Sequence, residues 1–156
     1  MLSVMQKLEL AIPPPIVALT LVAAMWGVSS ITSPIALPAP SRIVATVLAL
    51  IGFSLAFAGI VTFLRAKTTI HPTTPEAATS LVTNGLYRFT RNPMYLGLVI
   101  VLIAWAVFLS NAWTLAGPLL AVLYLNRFQI APEERALDVL FGADYAAYKR
   151  NVRRWL

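Results

Sequence analysis

The feature that most constrains this chain is a long run, Ile43–Leu64, without a single charged side chain and with an arginine at each end, Arg42 and Arg65. A helix that crosses the hydrocarbon core of a bilayer needs about 20 mostly apolar residues. The run has that length and has charges only at its borders. It therefore predicts a membrane-spanning helix.

The composition extends this interpretation to the whole chain. Of its 156 residues, 59% are apolar and only 12% are charged, whereas a soluble domain carries about 25% charged residues. A soluble chain of this size needs more polar groups, because much of a small domain lies at its surface. The sequence thus excludes a soluble enzyme, a disordered tail and, with no cysteine, a disulfide scaffold. We predict a single all-α integral membrane domain over residues 1–156.

Three other apolar stretches complete the predicted membrane domain. The first begins near a proline triplet, Pro13-Pro14-Pro15, which suits a helix entry. Only Ser110 and Asn111 separate the last two, so these two should form a tight helical hairpin. The predicted spans are residues 10–31, 43–64, 93–110 and 112–130.

The polar segments outside the spans carry helix signals of their own. In the predicted 65–92 loop, Thr73-Thr74-Pro75-Glu76 favours a helix start, and Asn84-Gly85 favours a stop or turn. Pro132-Glu133-Glu134 is a second start signal. Apolar side chains then recur every three or four residues as far as Trp155, which predicts an amphipathic segment over 132–156. We expect it to break near Gly142 and to lie on the membrane surface or across the bundle.

The basic residues predict an orientation. The formal net charge is +6, which in a soluble protein would indicate nucleic acid; here the basic residues lie between apolar runs, and no nucleic-acid partner is expected. With four spans, eleven of the twelve Lys and Arg residues fall on one side and only Arg42 on the other. Because cytoplasmic loops are enriched in Lys and Arg, both termini should be cytoplasmic, in an inner or plasma membrane.

The entrance of the third span gathers polar and aromatic residues that have two interpretations. Arg88 and Arg91 are either topology anchors or binding residues, and Tyr87 and Tyr95 either belong to an interfacial belt or line a site. Asn92 before Pro93 is also a good helix cap.

A second polar cluster follows the fourth span. Arg127, Glu133 and Glu134 are costly if buried and then need a partner; otherwise the two acids are a solvated helix start. His71, the only histidine, is most simply a loop residue. No metal site is predicted.

Taken together, four motifs in order resemble the family of integral-membrane methyltransferases that includes isoprenylcysteine carboxyl methyltransferase and phosphatidylethanolamine N-methyltransferase. The resemblance covers residues 81–155, and the first two spans contribute nothing diagnostic to it. The motifs are Leu-Val-Thr-Asn-Gly-Leu-Tyr-Arg (81–88), Arg-Asn-Pro-Met-Tyr-Leu-Gly (91–97), Glu-Glu-Arg-Ala-Leu (133–137) and Phe-Gly-Ala-Asp-Tyr-Ala-Ala-Tyr (141–148).

The resemblance implies S-adenosylmethionine as cofactor, and the chain indeed lacks a Gly-x-Gly-x-x-Gly motif. Arg88 or Arg91 suits the cofactor's carboxylate, Glu133 its amino group and ribose hydroxyls, and tyrosine faces its sulfonium. The active site would then face the cytoplasm. The residues that the family's pattern assigns to cofactor contact are Leu81, Val82, Tyr87, Asn92, Pro93, Met94, Tyr95 and Glu133.

Two departures from the family bear on the acceptor. Many members have histidine at the position of Asn92, and asparagine cannot exchange a proton near neutral pH. The prenylcysteine enzymes have an arginine at the position of Gln129, where a neutral amide is a poor clamp for a carboxylate. We expect Arg127 to orient the acceptor, and Glu134 either to hold Arg127 or to accept a proton.

The expected reaction is methyl transfer to a lipophilic or membrane-embedded acceptor, a carboxylate or a thiol. The alternative within this class is N-methylation of a phospholipid amine. A different class remains open, namely a non-enzymatic four-helix transporter or assembly protein, although a transporter should place ionisable residues within its spans. Membrane lipids are the expected surroundings, and the sequence does not give the oligomeric state.

Overall fold

The computed structural model describes residues 9–34, 41–66 and 78–156. The expected helix start at residues 73–76 and His71 lie outside these ranges. The described residues contain helices and no strand, which confirms the all-α class. The first two helices of the described residues are α1 (Pro14–Ile31) and α2 (Ser41–Arg65). α1 begins inside the proline triplet, because proline is tolerated in the first turn of a helix, where its missing N–H would be unpaired anyway.

The second half of the chain is a hairpin of helices. α3 (Pro93–Leu109) ends at Ser110, which has the left-handed φ of 50° that closes many helices. A 3₁₀ turn at Ala112–Leu115 leads into α4 (Ala116–Tyr124). A π-helical segment, Leu125–Ile130, then connects α4 directly to α5 (Ala131–Asn151).

An α-helix begins at Ala131 with Pro132, Glu133 and Glu134 in its first turn, as the start signal predicts, but the helical backbone enters it without a break from α4 through the π-helical segment. Proline has no N–H to give to the carbonyl four residues earlier, which belongs to Phe128. That carbonyl instead accepts a hydrogen bond from the N–H of Leu10 at 2.9 Å. The expected break at Gly142 is present, with φ 47° and ψ −115°. α5 is therefore regular from Ala131 up to Gly142, where the chain changes direction.

The helices are held together around α3, which packs most extensively against α2. Glycines permit this close approach: a Cβ built on Gly97 would lie 2.5 Å from the carbonyl oxygen of Gly52. Small residues at such contacts are typical of helix pairs in membranes. On its other side α3 contacts α1 and α4, and Trp105 donates to the carbonyl of Val22 at 3.1 Å. α3 is thus the central helix.

Among the described residues, α1 and α2 are long and apolar enough to cross a membrane, while α3 is a shorter apolar helix. Their outer faces carry large apolar side chains that pack against nothing in the fold, which a soluble monomer rarely shows. Examples are Leu19, Leu50, Phe53 and Phe57, each more than 60% exposed. Together these faces indicate association with a membrane.

Candidate active site

A cavity lies where the end of α2, the segment before α3, the first turn of α3 and both halves of α5 come together. Its empty volume is about 840 Å³ with the open mouth included. Its lining is mainly apolar and aromatic, with a few polar groups. The cavity therefore has the general character of a ligand site.

One wall is built by the short 3₁₀ turn Gly85–Arg88. Gly85 has φ 57°, a conformation that glycine adopts at no steric cost, and the turn places Tyr87 inward. The ring of Tyr87 packs edge-on against Phe63 with centroids 5.2 Å apart. Its hydroxyl is buried and has no hydrogen-bond partner among the described residues. A buried polar atom without a partner is costly, so this hydroxyl is available to a ligand.

The opposite wall is the first turn of α5, which carries Glu133. Its carboxyl accepts a hydrogen bond from the hydroxyl of Tyr95 on α3. Burial raises the pKa of Glu133 to about 8, and the neighbouring carboxylate of Glu134 acts in the same direction against the hydrogen bond from Tyr95. Such a carboxyl is mostly protonated at neutral pH and ionises when a positive charge is placed beside it.

Glu134 differs from Glu133 because it has two arginine partners. Its Oε1 lies 2.7 Å from Arg91, and its Oε2 lies 2.5 Å from Arg154 near the C-terminus. Burial raises the pKa of Glu134, but the hydrogen bonds from Arg154 and Arg91 outweigh it and leave the pKa below its usual value. Glu134 is thus an ionised member of a three-residue ion cluster.

Arg91 is held by backbone carbonyls as well as by Glu134. Its guanidinium donates to the carbonyls of Val152 at 2.8 Å and Lys149 at 3.3 Å, the groups that a helix end leaves unpaired. Only its buried Nε has no partner among the described residues. Most of the donor capacity of Arg91 therefore serves the fold.

Asn92 occupies the cap position of α3 without capping it, which corrects the expectation of a side-chain cap. Its Nδ2 donates instead to the carbonyl of Arg154 at 2.9 Å. The second half of α5 closes the cavity with Tyr145 and Tyr148; the hydroxyl of Tyr148 donates to the carbonyl of Tyr87 at 2.6 Å. The C-terminal part of the chain thus supports the wall that α3 begins.

The cavity brings together nine of the twelve residues that the sequence predicts for the site. Of the others, Arg88 is exposed on the 3₁₀ turn, Pro93 is buried in the first turn of α3, and Arg127 lies on the π-helical segment. None of these three lines the cavity. The nine lining residues are Leu81, Val82, Tyr87, Arg91, Asn92, Met94, Tyr95, Glu133 and Glu134.

The expected pair of Arg127 with Glu134 is wrong. Arg127 lies 2.5 Å from Glu9, in the segment before α1, and Glu9 also accepts from Arg135. The π-helical segment directs Arg127 away from the side of the helix on which Glu133 and Glu134 line the cavity. Its predicted role beside the acceptor therefore has no support from its position.

Sequence reasoning missed other lining residues. Tyr145 and Tyr148 lie in the last of the four motifs, and their spacing of three residues could have assigned them to one helix face. Phe63 and Leu137 were seen only as members of apolar patterns. Nothing in the sequence separates Phe63 from the other apolar residues of its run.

Two proteins similar to parts of this chain were found by comparison with known sequences. The chain is 46% identical over 63 residues to an uncharacterized protein of Haemophilus influenzae, a match that covers 40% of this chain and 100% of that protein. It is 39% identical over 67 residues to methanethiol S-methyltransferase 1 of Bradyrhizobium diazoefficiens, covering 43% of this chain but only 22% of that enzyme. No solved structure matches the chain.

A family model gives the assignment. The model of the phospholipid methyltransferase family matches residues 40–144, more than half of the chain. The matched range includes α2, the 3₁₀ turn, α3 and the first half of α5, and so most of the cavity wall. The resemblance seen in the four motifs is confirmed, and the chain belongs to the phospholipid methyltransferase family of integral-membrane methyltransferases.

Proposed function

We propose that this protein binds S-adenosylmethionine in the cavity and transfers its methyl group to a lipophilic acceptor. The observation that carries the proposal is that one cavity contains both the buried hydroxyl of Tyr87, which has no hydrogen-bond partner among the described residues, and the buried carboxyl of Glu133. Both lie within the range that the methyltransferase family model matches.

The residues present fit this cofactor. Glu133 suits a cationic or hydroxyl group, because an adjacent positive charge favours its ionised form. The aromatic rings of Tyr87, Tyr145 and Tyr148 suit a sulfonium. The unpartnered Nε of Arg91 is the donor in the cavity for a carboxylate. When bound, S-adenosylmethionine supplies an electrophilic methyl group, and the protein's contribution is chiefly to align the nucleophile with it.

For the acceptor, the charges of the wall favour a thiol over a carboxylate. The described wall contains two acids, Glu133 and Glu134, and one cation, Arg91, which is already bonded to Glu134. Arg127 and Gln129 do not line the cavity. A carboxylate acceptor would therefore lack a clamp, whereas a neutral thiol needs none and gives up its S–H proton to solvent as its sulfur takes the methyl group. The name of the Bradyrhizobium relative, methanethiol S-methyltransferase 1, agrees with a sulfur acceptor.

N-methylation of a phospholipid amine is the second candidate, and one observation favours it. An amine acceptor must lose a proton, and Glu133, with a pKa of about 8, is better matched to that task than Glu134. The family model's own description, phospholipid methyltransferase, agrees with a lipid acceptor. In either case the acceptor would enter from the bilayer.

We further propose that α3 and the composite helix over residues 112–130 cross the membrane together with α1 and α2. This arrangement places the loop over residues 65–92, the cavity and both termini on the cytoplasmic side, by the distribution of Lys and Arg. Membrane lipids would cover the exposed apolar faces of α1 and α2.

The direct experiment combines binding and transfer. Calorimetry of the purified protein in detergent should show binding of S-adenosylmethionine or of its demethylated product, and Glu133→Ala should lose it. Asp138→Asn, on the exposed face of the same helix, is the matched control and should bind normally. Labelled methyl groups should then pass to a long-chain alkyl thiol. A wild-type protein that binds neither compound would refute the proposal and favour a non-enzymatic role.

A further inference from the structure

The last residues of the chain form a tail, Val152–Leu156, that lies against the start of α3. The N–H of Arg91 donates to the carbonyl of Arg153 at 3.0 Å, and the hydroxyl of Thr90 donates to the carbonyl of Arg154 at 3.2 Å. The indole of Trp155 donates to Asn126 at 3.1 Å. The tail is therefore attached both to the residues just before α3 and to the π-helical segment that leads into α5.

We infer that Glu134 is a positioning residue: through Arg91 and Arg154 it holds the tail against α3, and the tail fixes the amide of Asn92 at the cavity wall. From the sequence alone, Glu134 is expected either to accept a proton or to hold Arg127. This inference rests on the proposed function in one respect: it assumes that S-adenosylmethionine is the ligand of the cavity.

The charge balance of the cluster is the first support. Glu134 is one carboxylate between two guanidinium groups, and the side chains of Glu134 and Arg91 are only 14% and 12% exposed. Removing the carboxylate would leave Arg91 nearly buried without an anionic partner among the described residues, which is strongly unfavourable. The cluster therefore depends on Glu134 more than on either arginine.

The orientation of Asn92 is the second support. A carbonyl oxygen accepts only from a donor, so the bond to Arg154 requires that Nδ2, not Oδ1, face the tail. The described residues provide no hydrogen bond to Oδ1. The tail thus selects one of the two amide orientations and leaves Asn92 as a hydrogen-bond acceptor for a donor group of the ligand.

These contacts argue against proton transfer by Glu134. Both of its oxygens accept hydrogen bonds from arginines, Oε1 from Arg91 and Arg154 and Oε2 from Arg154. A carboxylate held in this way is a weak base, and taking up a proton would break the cluster. Its effect on the reaction must then pass through the residues it positions.

The test compares Glu134→Gln, Arg154→Met and the double variant, with Asp138→Asn as control. Asp138 pairs with Lys149 at 2.6 Å on the exposed part of α5, so its variant removes an acid without touching the cluster. The readouts are the Kd of S-adenosylhomocysteine, the KM and kcat for S-adenosylmethionine, and hydrogen exchange at the amide of Arg91.

Glu134→Gln and Arg154→Met should each weaken S-adenosylhomocysteine binding about tenfold, the scale of a lost charged hydrogen bond, with most of the kinetic effect on KM. The double variant should be little worse than the single variants, because both act through one cluster. The amide of Arg91 should exchange faster in all three. Arg154→Lys, which keeps the charge, should recover part of the affinity, and Asp138→Asn should match the wild type.

Normal S-adenosylhomocysteine binding by Glu134→Gln together with a large loss of kcat would overturn the inference and make Glu134 a proton acceptor. Unchanged exchange at Arg91 in Glu134→Gln would overturn it as well. If Glu134→Gln fails to fold, Arg154→Met and Arg154→Lys carry the test alone. A wild-type protein that binds no adenosyl compound would refute the proposed function instead, and the exchange measurement would still report on the cluster.

Discussion

The hydroxyl of Tyr95 on α3 donates its hydrogen bond to the carboxyl of Glu133 on α5, across 38 residues of sequence. This contact joins the two helices that form the inner end of the cavity and gives Glu133 its one hydrogen bond among the described residues. It fixes the position of the carboxyl while leaving the second oxygen to a ligand.

Ligand binding should release a proton from Glu133. Its pKa of about 8 keeps it mostly protonated at pH 7, and a cationic ligand favours the ionised form. Affinity should therefore rise with pH up to about 8 and then level off. Calorimetry at pH 7 in buffers of different ionisation enthalpy should show close to one proton released, and Glu133→Gln should show none. Equal heats in all buffers for the wild type would contradict this assignment.

Tyr87→Phe and Tyr148→Phe should have opposite effects on stability. The hydroxyl of Tyr87 has no partner in the described ranges, so its removal should leave the free energy of unfolding unchanged or raise it by up to about 1 kcal/mol. The hydroxyl of Tyr148 holds the carbonyl of Tyr87, and its removal should cost about 1 kcal/mol.

Ligand binding tests the role of the Tyr87 hydroxyl separately from its effect on stability. Tyr87→Phe should weaken S-adenosylhomocysteine binding several-fold without any loss of thermal stability in detergent. If its affinity equals that of the wild type, the hydroxyl of Tyr87 is not a ligand contact.

Gly97→Ala should destabilise the pair of α2 and α3. The new Cβ would meet the carbonyl of Gly52 at 2.5 Å and the backbone nitrogen of Ala56 at 2.8 Å, neither of which can move alone. We expect a loss of about 1–3 kcal/mol. Gly27→Ala in α1 is the control, since nothing lies within 4 Å of its Cβ; it should gain about 0.5–1 kcal/mol in helix stability. Equal melting temperatures for the two variants would contradict the packing.

Reporter fusions test the proposed four spans. A reporter after Leu156 should read as cytoplasmic, and one fused after Asn111, in the turn between α3 and α4, should read as external. If only α1 and α2 span, both fusions report the same side. That result would leave the membrane anchor intact but would remove α3 from the bilayer.

Arg127→Ala should leave S-adenosylhomocysteine binding and turnover near the wild-type values, because Arg127 contacts Glu9 and lies outside the cavity. Its side chain is 41% exposed, so a double-mutant cycle with Glu9→Gln should give a coupling below about 1 kcal/mol. Normal binding with lost turnover would restore the role beside the acceptor that the sequence suggested.

The sequence predicts what depends on local pattern and leaves open what depends on long-range contacts. The apolar runs and the break at Gly142 follow from hydropathy and from backbone freedom. Most of the motif residues predicted for the site do line the cavity. They could be predicted because the four motifs were recognised together and in order, not residue by residue. The partner of Arg127 could not be predicted, since Glu9 lies more than a hundred residues away and Glu134 is the nearer acid in sequence. For the same reason the sequence predicts Arg91 as a donor to the ligand, whereas its main partners in the structure come from α5 and the tail.

The π-helical segment before α5 sets the angular position of the cavity residues. A π turn holds one residue more than an α turn, so every side chain after Ile130 is rotated by about 100° relative to a regular continuation of α4. Deleting one residue from Leu125–Ile130 would restore the regular helix, carry Glu133 a quarter-turn or more around the axis and separate it from Tyr95. The rotation of α5 about its own axis is therefore part of what forms the cavity. A single-residue insertion or deletion before α5 in a relative would change that rotation without altering any motif.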